Sequence, residues 1–255
     1  MDDLLKKLAV MILAGASAAC SLAPPPQASV QVPDKTTRQI VRERLSAVVV
    51  TRRSELGSWA NEKFAIENAP KDADGGSAAP ITEDGYFLTA DHVLAEAPGK
   101  NVFIIYANGG RVMVSRARIV WRSSGDDLAL LHIPGNTPYY YRWSAPDRGI
   151  PRGHSVIHGG MSTGSKLSHG NLRTGLPPES LLTGSRTFKM DIPLEPGDSG
   201  GPVIDAYGSL IGINSAVEFL VPMETAIFMD SEGVRPNTRQ IHELIRKDRV
   251  SKKNR

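Results

Sequence analysis

The sequence predicts an all-β fold closed by a short C-terminal helix. Short apolar runs rich in Val and Ile recur at residues 45–51, 102–106, 112–119, 128–133, 155–158 and 210–214. Clusters of Gly, Pro, Asn and Asp separate them, the punctuation expected between strands. Helical periodicity is scarce. It is confined to a short lead-in at 36–44 and a better pattern at 236–247. There Pro236-Asn237-Thr238 marks a start, and Ile241, Leu244 and Ile245 make one apolar face. Residues 54–75 are polar and irregular and read as a surface loop, and no internal repeat is visible.

The N-terminus reads as an export signal. Lys6 and Lys7 precede an apolar run over residues 8–19, which is shorter than the roughly 20 residues of a spanning helix. Asp2 and Asp3 are unusual in such a leader. The single cysteine, Cys20, ends the run after Ser17-Ala18-Ala19. That placement resembles a bacterial lipoprotein signal, in which the cysteine is lipidated, although Ser17 stands where Leu or Val is usual. A plain signal peptide cut near Ala18 or Ala19 is the alternative. Residues 1–19 are thus read as signal peptide and 20–37 as a tether, because Pro24-Pro25-Pro26 stiffens an extended spacer. With one cysteine the body has no internal disulfide, and its stability must come from an apolar core.

Thirty Lys and Arg against 27 Asp and Glu give a net charge of +3, which makes no case for nucleic-acid binding. The basic end, residues 249–255, reads as a solvated tail; attraction to anionic lipid would be its functional alternative. No cofactor or metal motif stands out. His154 and His158 are four apart, but in a strand context that spacing spans roughly 13 Å, too far for a shared metal. The sequence gives no oligomeric state.

The segment carrying most chemical information is Gly197-Asp198-Ser199-Gly200-Gly201-Pro202. Glycines around a serine let the backbone turn sharply, so that the amides of Gly197 and Ser199 can converge as an oxyanion hole. A serine nucleophile needs a base, normally a histidine oriented by a carboxylate. His92 follows the strand-like run Tyr86-Phe87-Leu88-Thr89, and Asp127 opens Asp127-Leu128-Ala129-Leu130-Leu131. Asp126 is a rival, but the register of the aliphatic run favours Asp127. The pattern also satisfies the G-x-S-x-G elbow of α/β-hydrolases. That fold needs its histidine after the serine and alternating βα units; here only His242 follows, and the alternation is missing.

Three ordered segments resemble trypsin-like serine proteases of the chymotrypsin fold, more particularly their bacterial HtrA-like branch. Leu88-Thr89-Ala90-Asp91-His92-Val93 resembles the catalytic-histidine motif, Asp127 to Leu131 the aspartate segment, and Gly197 to Pro202 the nucleophile segment. Gly76-Ser77, Thr82 to Tyr86, Gly153 to Gly159 and Leu210 to Asn214 also match in register. The resemblance covers residues 45–230. It implies two six-stranded antiparallel β-barrels across residues 38–248, about 38–135 and 136–248. It also implies a His92–Asp127–Ser199 triad, peptide or protein substrates, and a primary pocket lined by Pro193, Leu194, Ile213, Asn214 and Ser215. No acid stands at Pro193, so small or medium apolar side chains are expected there rather than Arg or Lys. Localisation in the bacterial periplasm or cell envelope, anchored at Cys20, follows from the leader.

Two departures from the family pattern bear on the site. HtrA-like enzymes usually carry Asn before the serine. Asp198 is instead the residue of secreted trypsins, where a new N-terminus pairs with it after cleavage. Ile40-Val41 is present without the flanking activation sequence, so proteolytic activation is not expected and the partner of Asp198 is left open. Too few residues follow the barrels for a PDZ domain. The second functional class compatible with the sequence is a catalytically latent or inactive peptide-binding module on the same fold.

Overall fold

The computed structural model describes residues 34–56, 71–108, 111–145, 147–163, 169–181, 183–220 and 227–253. The leader, Cys20 and the proline tether lie outside them, as does much of the 54–75 segment. In the described residues, strands dominate and build two six-stranded antiparallel sheets.

The first sheet is a closed barrel of β1 (Ser46–Thr51), β2 (Asp74–Pro80), β3 (Tyr86–Thr89), β4 (Asn101–Asn108), β5 (Arg111–Ser123) and β6 (Leu128–His132), in the order β1-β2-β3-β6-β5-β4. The continuous apolar run in β1 has a simple cause: both faces are covered. Val48 and Val50 point into the barrel core with Leu88, Ile104 and Leu130, while Ala47 and Val49 pack outside with Leu56, Phe103 and Ile105. Sequence patterning finds β1 and β4 to β6 but not β2, whose DGGSAAP run lacks β-branched residues. Small residues are needed there, since a Cβ on Gly75 would lie 2.0 Å from the Val48 carbonyl oxygen.

The second sheet comprises β7 (Ser155–His158), β8 (His169–Asn171), β9 (Arg186–Met190), β10 (Pro202–Asp205), β11 (Leu210–Leu220) and β12 (Ile227–Arg235), in the order β8-β7-β10-β11-β12-β9. A bridge between Leu172 and Met190 joins its two ends, with Asp191 N donating to Asn171 O at 3.1 Å. The expected pair of barrels is therefore present. Val156, Phe188, Met190, Val203 and Ile211 fill the interior of the second.

Helix α1 (Lys35–Glu43) starts at Asp34, whose carboxylate accepts from Thr37 N at 2.8 Å. It docks on the second barrel: Thr37 Oγ1 donates to Ala206 O at 2.7 Å, and Val41 is fully buried. Helix α2 (Thr238–Lys253) lies across the first barrel with Ile241 and Ile245 in the shared core. It runs past the predicted end at 247. Arg249 and Lys252, read from sequence as part of a solvated tail, are helical. Arg249 pairs with Asp84 at 2.7 Å, and Lys252 Nζ donates to His132 Nε2 at 2.7 Å. Exposed pairs of this kind contribute little, so the buried isoleucines hold the helix down.

A buried ion pair ties the start of α2 to the second barrel. Arg235 Nη2 lies 3.0 Å from Glu179 Oε1 with both side chains 2% exposed, and Thr238 donates to Glu179 Oε2 through its amide and hydroxyl. Truncating one partner leaves the other charge buried and alone. Arg235→Ala is expected to lower unfolding free energy by about 3–5 kcal/mol, measured by denaturant titration. Arg235→Met combined with Glu179→Leu should cost clearly less.

Candidate active site

The histidine is presented by a short, braced turn. Strand β3 is buried along its length and delivers the chain into a 3-10 turn at Asp91–Leu94. Asp91 is clamped from β5 by Arg122, whose Nε donates to Oδ1 at 2.6 Å and Nη2 to Oδ2 at 3.1 Å and to the Asp91 carbonyl at 3.2 Å. Such a planar fork fixes orientation as well as position. The next residue, His92, therefore leaves a rigid base with its ring half exposed.

Asp127 meets it from the start of β6. Among the described residues it is the one non-glycine with positive φ, at 49°. Asp tolerates the left-handed region better than most residues, but the conformation still costs energy and tends to persist at functional positions. Here it aims the carboxylate at the histidine. His92 Nδ1 lies 3.0 Å from Oδ1 and 2.9 Å from Oδ2, and the His92 amide donates to Oδ1 at 3.0 Å. Ser215 Oγ adds a bond to Oδ2 at 2.5 Å. Burial pushes the Asp127 carboxyl up, but these hydrogen bonds outweigh it and hold it below the usual carboxylate range. The bond to Asp127 raises the His92 pKa above that of an ordinary histidine, against the opposing effect of burial. Asp126, the rival from sequence, instead accepts from Ser123 Oγ at 2.9 Å.

The serine comes from the second barrel, on the loop before β10. Its carbonyl accepts from the Ser77 amide of β2 at 2.7 Å. A Cβ on Gly76 would fall 2.8 Å from that same carbonyl and 2.9 Å from Val93, the neighbour of His92. A Cβ on Gly200 would fall 2.3 Å from Thr89 Oγ1. The Ser199 segment thus lies directly against the His92 segment. No hydrogen bond joins the Ser199 hydroxyl to His92 among the described residues. Gly197 has φ of +100° and Gly200 of +82°, conformations that glycine supplies without strain. The amides of Gly197 and Ser199 donate to no described group.

Asp198 is fully buried and held by backbone amides. Oδ1 accepts from Ser162 N at 3.2 Å and Thr163 N at 3.1 Å, and Oδ2 from Glu195 N at 3.0 Å. Its partner is therefore this set of N–H groups. Ile40 and Val41 sit inside the continuous helix α1.

Of the expected pocket residues, Pro193 is exposed and Leu194 is 9% exposed beside the second core. The other three point elsewhere. Ile213 is in the core, and Ser215 bonds Asp127. Asn214 is a strut, its Nδ2 donating to Gly159 O at 3.1 Å and Asp198 O at 3.2 Å. Sequence reading placed Ser215 and Asn214 in the right segment but missed what their side chains do, since only the folded register discloses it. Arg122 was missed altogether; an arginine mid-strand carries no signal of its partner.

The trypsin-like peptidase domain family matches residues 76–213, more than half of the chain. The protein belongs to that family. Among its relatives is the "Probable periplasmic serine endoprotease DegP-like" of Pseudomonas fluorescens, 28% identical over 179 residues, covering 62% of this chain and 34% of the relative. Another is the "Serine protease Do-like HtrA" of Lactobacillus helveticus, 29% identical over 138 residues, covering 51% of this chain and 32% of that one. The chain thus spans about a third of the length of these curated relatives. Among solved structures, the HtrA-type protease AlgW with a decapeptide aligns with a TM-score of 0.58 at 19% identity, covering 82% of this chain and 66% of that one. That likeness concerns the fold.

Gly160 gives the Asp198 cradle its room, since a Cβ there would lie 2.2 Å from Asp198 Oδ1. Gly160→Ala is expected to push the carboxylate off its amides. The check is hydrogen exchange: the amides of Ser162, Thr163 and Glu195 should exchange at least tenfold faster, about 1.4 kcal/mol of lost protection, with the barrels still folded.

Proposed function

We propose that this chain is a serine endopeptidase in which His92, Asp127 and Ser199 cut peptide bonds through an acyl-enzyme. The observation that carries this reading is the His92 imidazole bonded through Nδ1 to both oxygens of Asp127, beside a serine on a glycine-flanked turn. With Nδ1 committed to the carboxylate, Nε2 is the nitrogen left to act as base. It takes the Ser199 proton as Oγ attacks the substrate carbonyl carbon. The developing oxyanion is met by the amides of Gly197 and Ser199, each contributing about 3 kcal/mol. His92 then hands the proton to the leaving amine, and a water activated the same way releases the acyl group. Asp127 holds the tautomer and stabilises the imidazolium.

Peptide substrates are supported by the structural likeness to the HtrA-type protease AlgW, which was solved with a decapeptide. Proline rather than an acid at position 193, with Leu194 beside it, supports small or medium apolar side chains in the primary pocket. Export to the periplasm or cell envelope is supported by the leader of this chain and by relatives named as periplasmic endoproteases; Cys20 would carry the lipid.

Ser199→Ala should reduce turnover of a peptide library by about a millionfold, and wild type should cut after apolar residues. Activity of the purified variant near wild type would sink the assignment, and selective cleavage after Arg would sink the pocket reading. The pH dependence has a defined sign. The base must be neutral, and Asp127 raises the His92 pKa, so kcat/KM is full above that raised value and falls as pH drops through it. Asp127→Asn should cut kcat by about 10⁴-fold and move the acid limb of the profile to lower pH. A limb that stays in place would contradict the coupling.

A further inference from the structure

We infer that Ser77 and Ser162 are positioning residues that hold the oxyanion glycine from its two sides, an inference that rests on the Ser199 reading above. Gly197 is the most mobile kind of residue in the most demanding place. Its N–H direction depends on the Pro196–Gly197 peptide plane, in which carbonyl and N–H point opposite ways. Glycine itself imposes no orientation on that plane. Two hydroxyls do.

Ser162 Oγ donates to the Pro196 carbonyl, fixing the plane that carries the Gly197 N–H. Ser77 Oγ donates to the Gly197 carbonyl at 2.6 Å, fixing the following plane, which leads into Asp198. The two clamps come from different barrels. Ser77 belongs to β2 and is 1% exposed. Its hydroxyl also accepts from Met161 N at 2.8 Å, its amide donates to Ser199 O at 2.7 Å, and its carbonyl accepts from Thr89 Oγ1 at 2.8 Å. One buried serine therefore touches the histidine strand, the serine, the oxyanion glycine and the loop leading to Ser162. Ser162 grips both sides of Gly197, its hydroxyl on residue 196 and its amide on the Asp198 carboxylate. Neither hydroxyl bonds His92 or Ser199 Oγ, so their action runs through the placement of a donor.

The substitution to alanine separates this from a packing role. Losing a clamp lets the Gly197 N–H wander, which harms only the state in which an oxyanion is present. Ser77→Ala and Ser162→Ala should each lower kcat about 10- to 100-fold, the scale of a catalytic group misplaced by an ångström or less. KM should stay within about threefold, as expected when only transition-state binding is lost. A peptide boronate, whose tetrahedral adduct with Ser199 puts an oxygen in the hole, should lose affinity by the same factor as kcat. Ser162→Thr keeps the hydroxyl and should restore both. The double alanine variant should fall short of the product of the singles, because both act on one glycine.

Thermal melts establish which variants are folded. Ser162 is half-buried where Ser77 is fully buried, so its series is read even where Ser77→Ala does not fold. Folded Ser162→Ala with unchanged kcat and boronate affinity, in an enzyme that Ser199→Ala silences, would overturn the clamp alone. Wild type that neither turns over nor binds boronate would overturn the Ser199 reading and the clamp with it.

Discussion

A carboxylate buried in the interior has to find donors, and the loop that carries Ser199 is arranged around that requirement. Asp198 is fully buried, and an unpaired charge there would cost several kcal/mol. Three backbone amides meet it, two from the segment after β7 and one from the turn before the serine. With those bonds made, Gly197 turns with φ of +100°, Ser199 lies against β2 and Gly200 lies close to Thr89. The Asn214 strut reinforces this arrangement by gripping the Asp198 carbonyl and Gly159 together. In the resembled trypsins, a charged N-terminus answers the same aspartate. Here neutral N–H groups do so, with Ile40 and Val41 still within a continuous helix packed on the second barrel.

The first barrel supplies the other half of the site by a different device. Its closed sheet and doubly covered β1 make a stiff platform, and the Arg122 fork ties the residue before His92 to that platform. Asp127 then approaches in a strained conformation that the rest of the barrel enforces. The two halves meet through β2, whose small residues let the Ser199 segment approach the His92 segment closely. The Gly76-Ser77 pair is thus the physical join between the His92 segment and the Ser199 segment.

Much of this was legible in the sequence because it is local. Valine-rich strands announce themselves, and Asn237 marks the start of α2 by its own chemistry, its side chain accepting from Gln240 N. Three short motifs in fixed order single out His92, Asp127 and Ser199 as candidates, and the fold brings their segments into one region. The illegible parts are long-range. Strands β2, β9 and β12 carry Gly, Ala or charged residues, so their identity depends on neighbours across the sheet. Whether Asn214 lines a pocket or braces a loop is decided by contacts with Gly159, 55 residues away. The basic end was misread as free because its partners, Asp84 and His132, belong to a barrel more than a hundred residues upstream.

The central claim is that Ser199 is a nucleophile activated by His92. The most direct measurement is labelling of the purified domain with a fluorophosphonate, followed by peptide mapping of the modified residue. A single adduct on Ser199, lost in His92→Ala as well as Ser199→Ala, is the predicted result. A folded wild type that takes no label, or takes it equally without His92, would contradict the account.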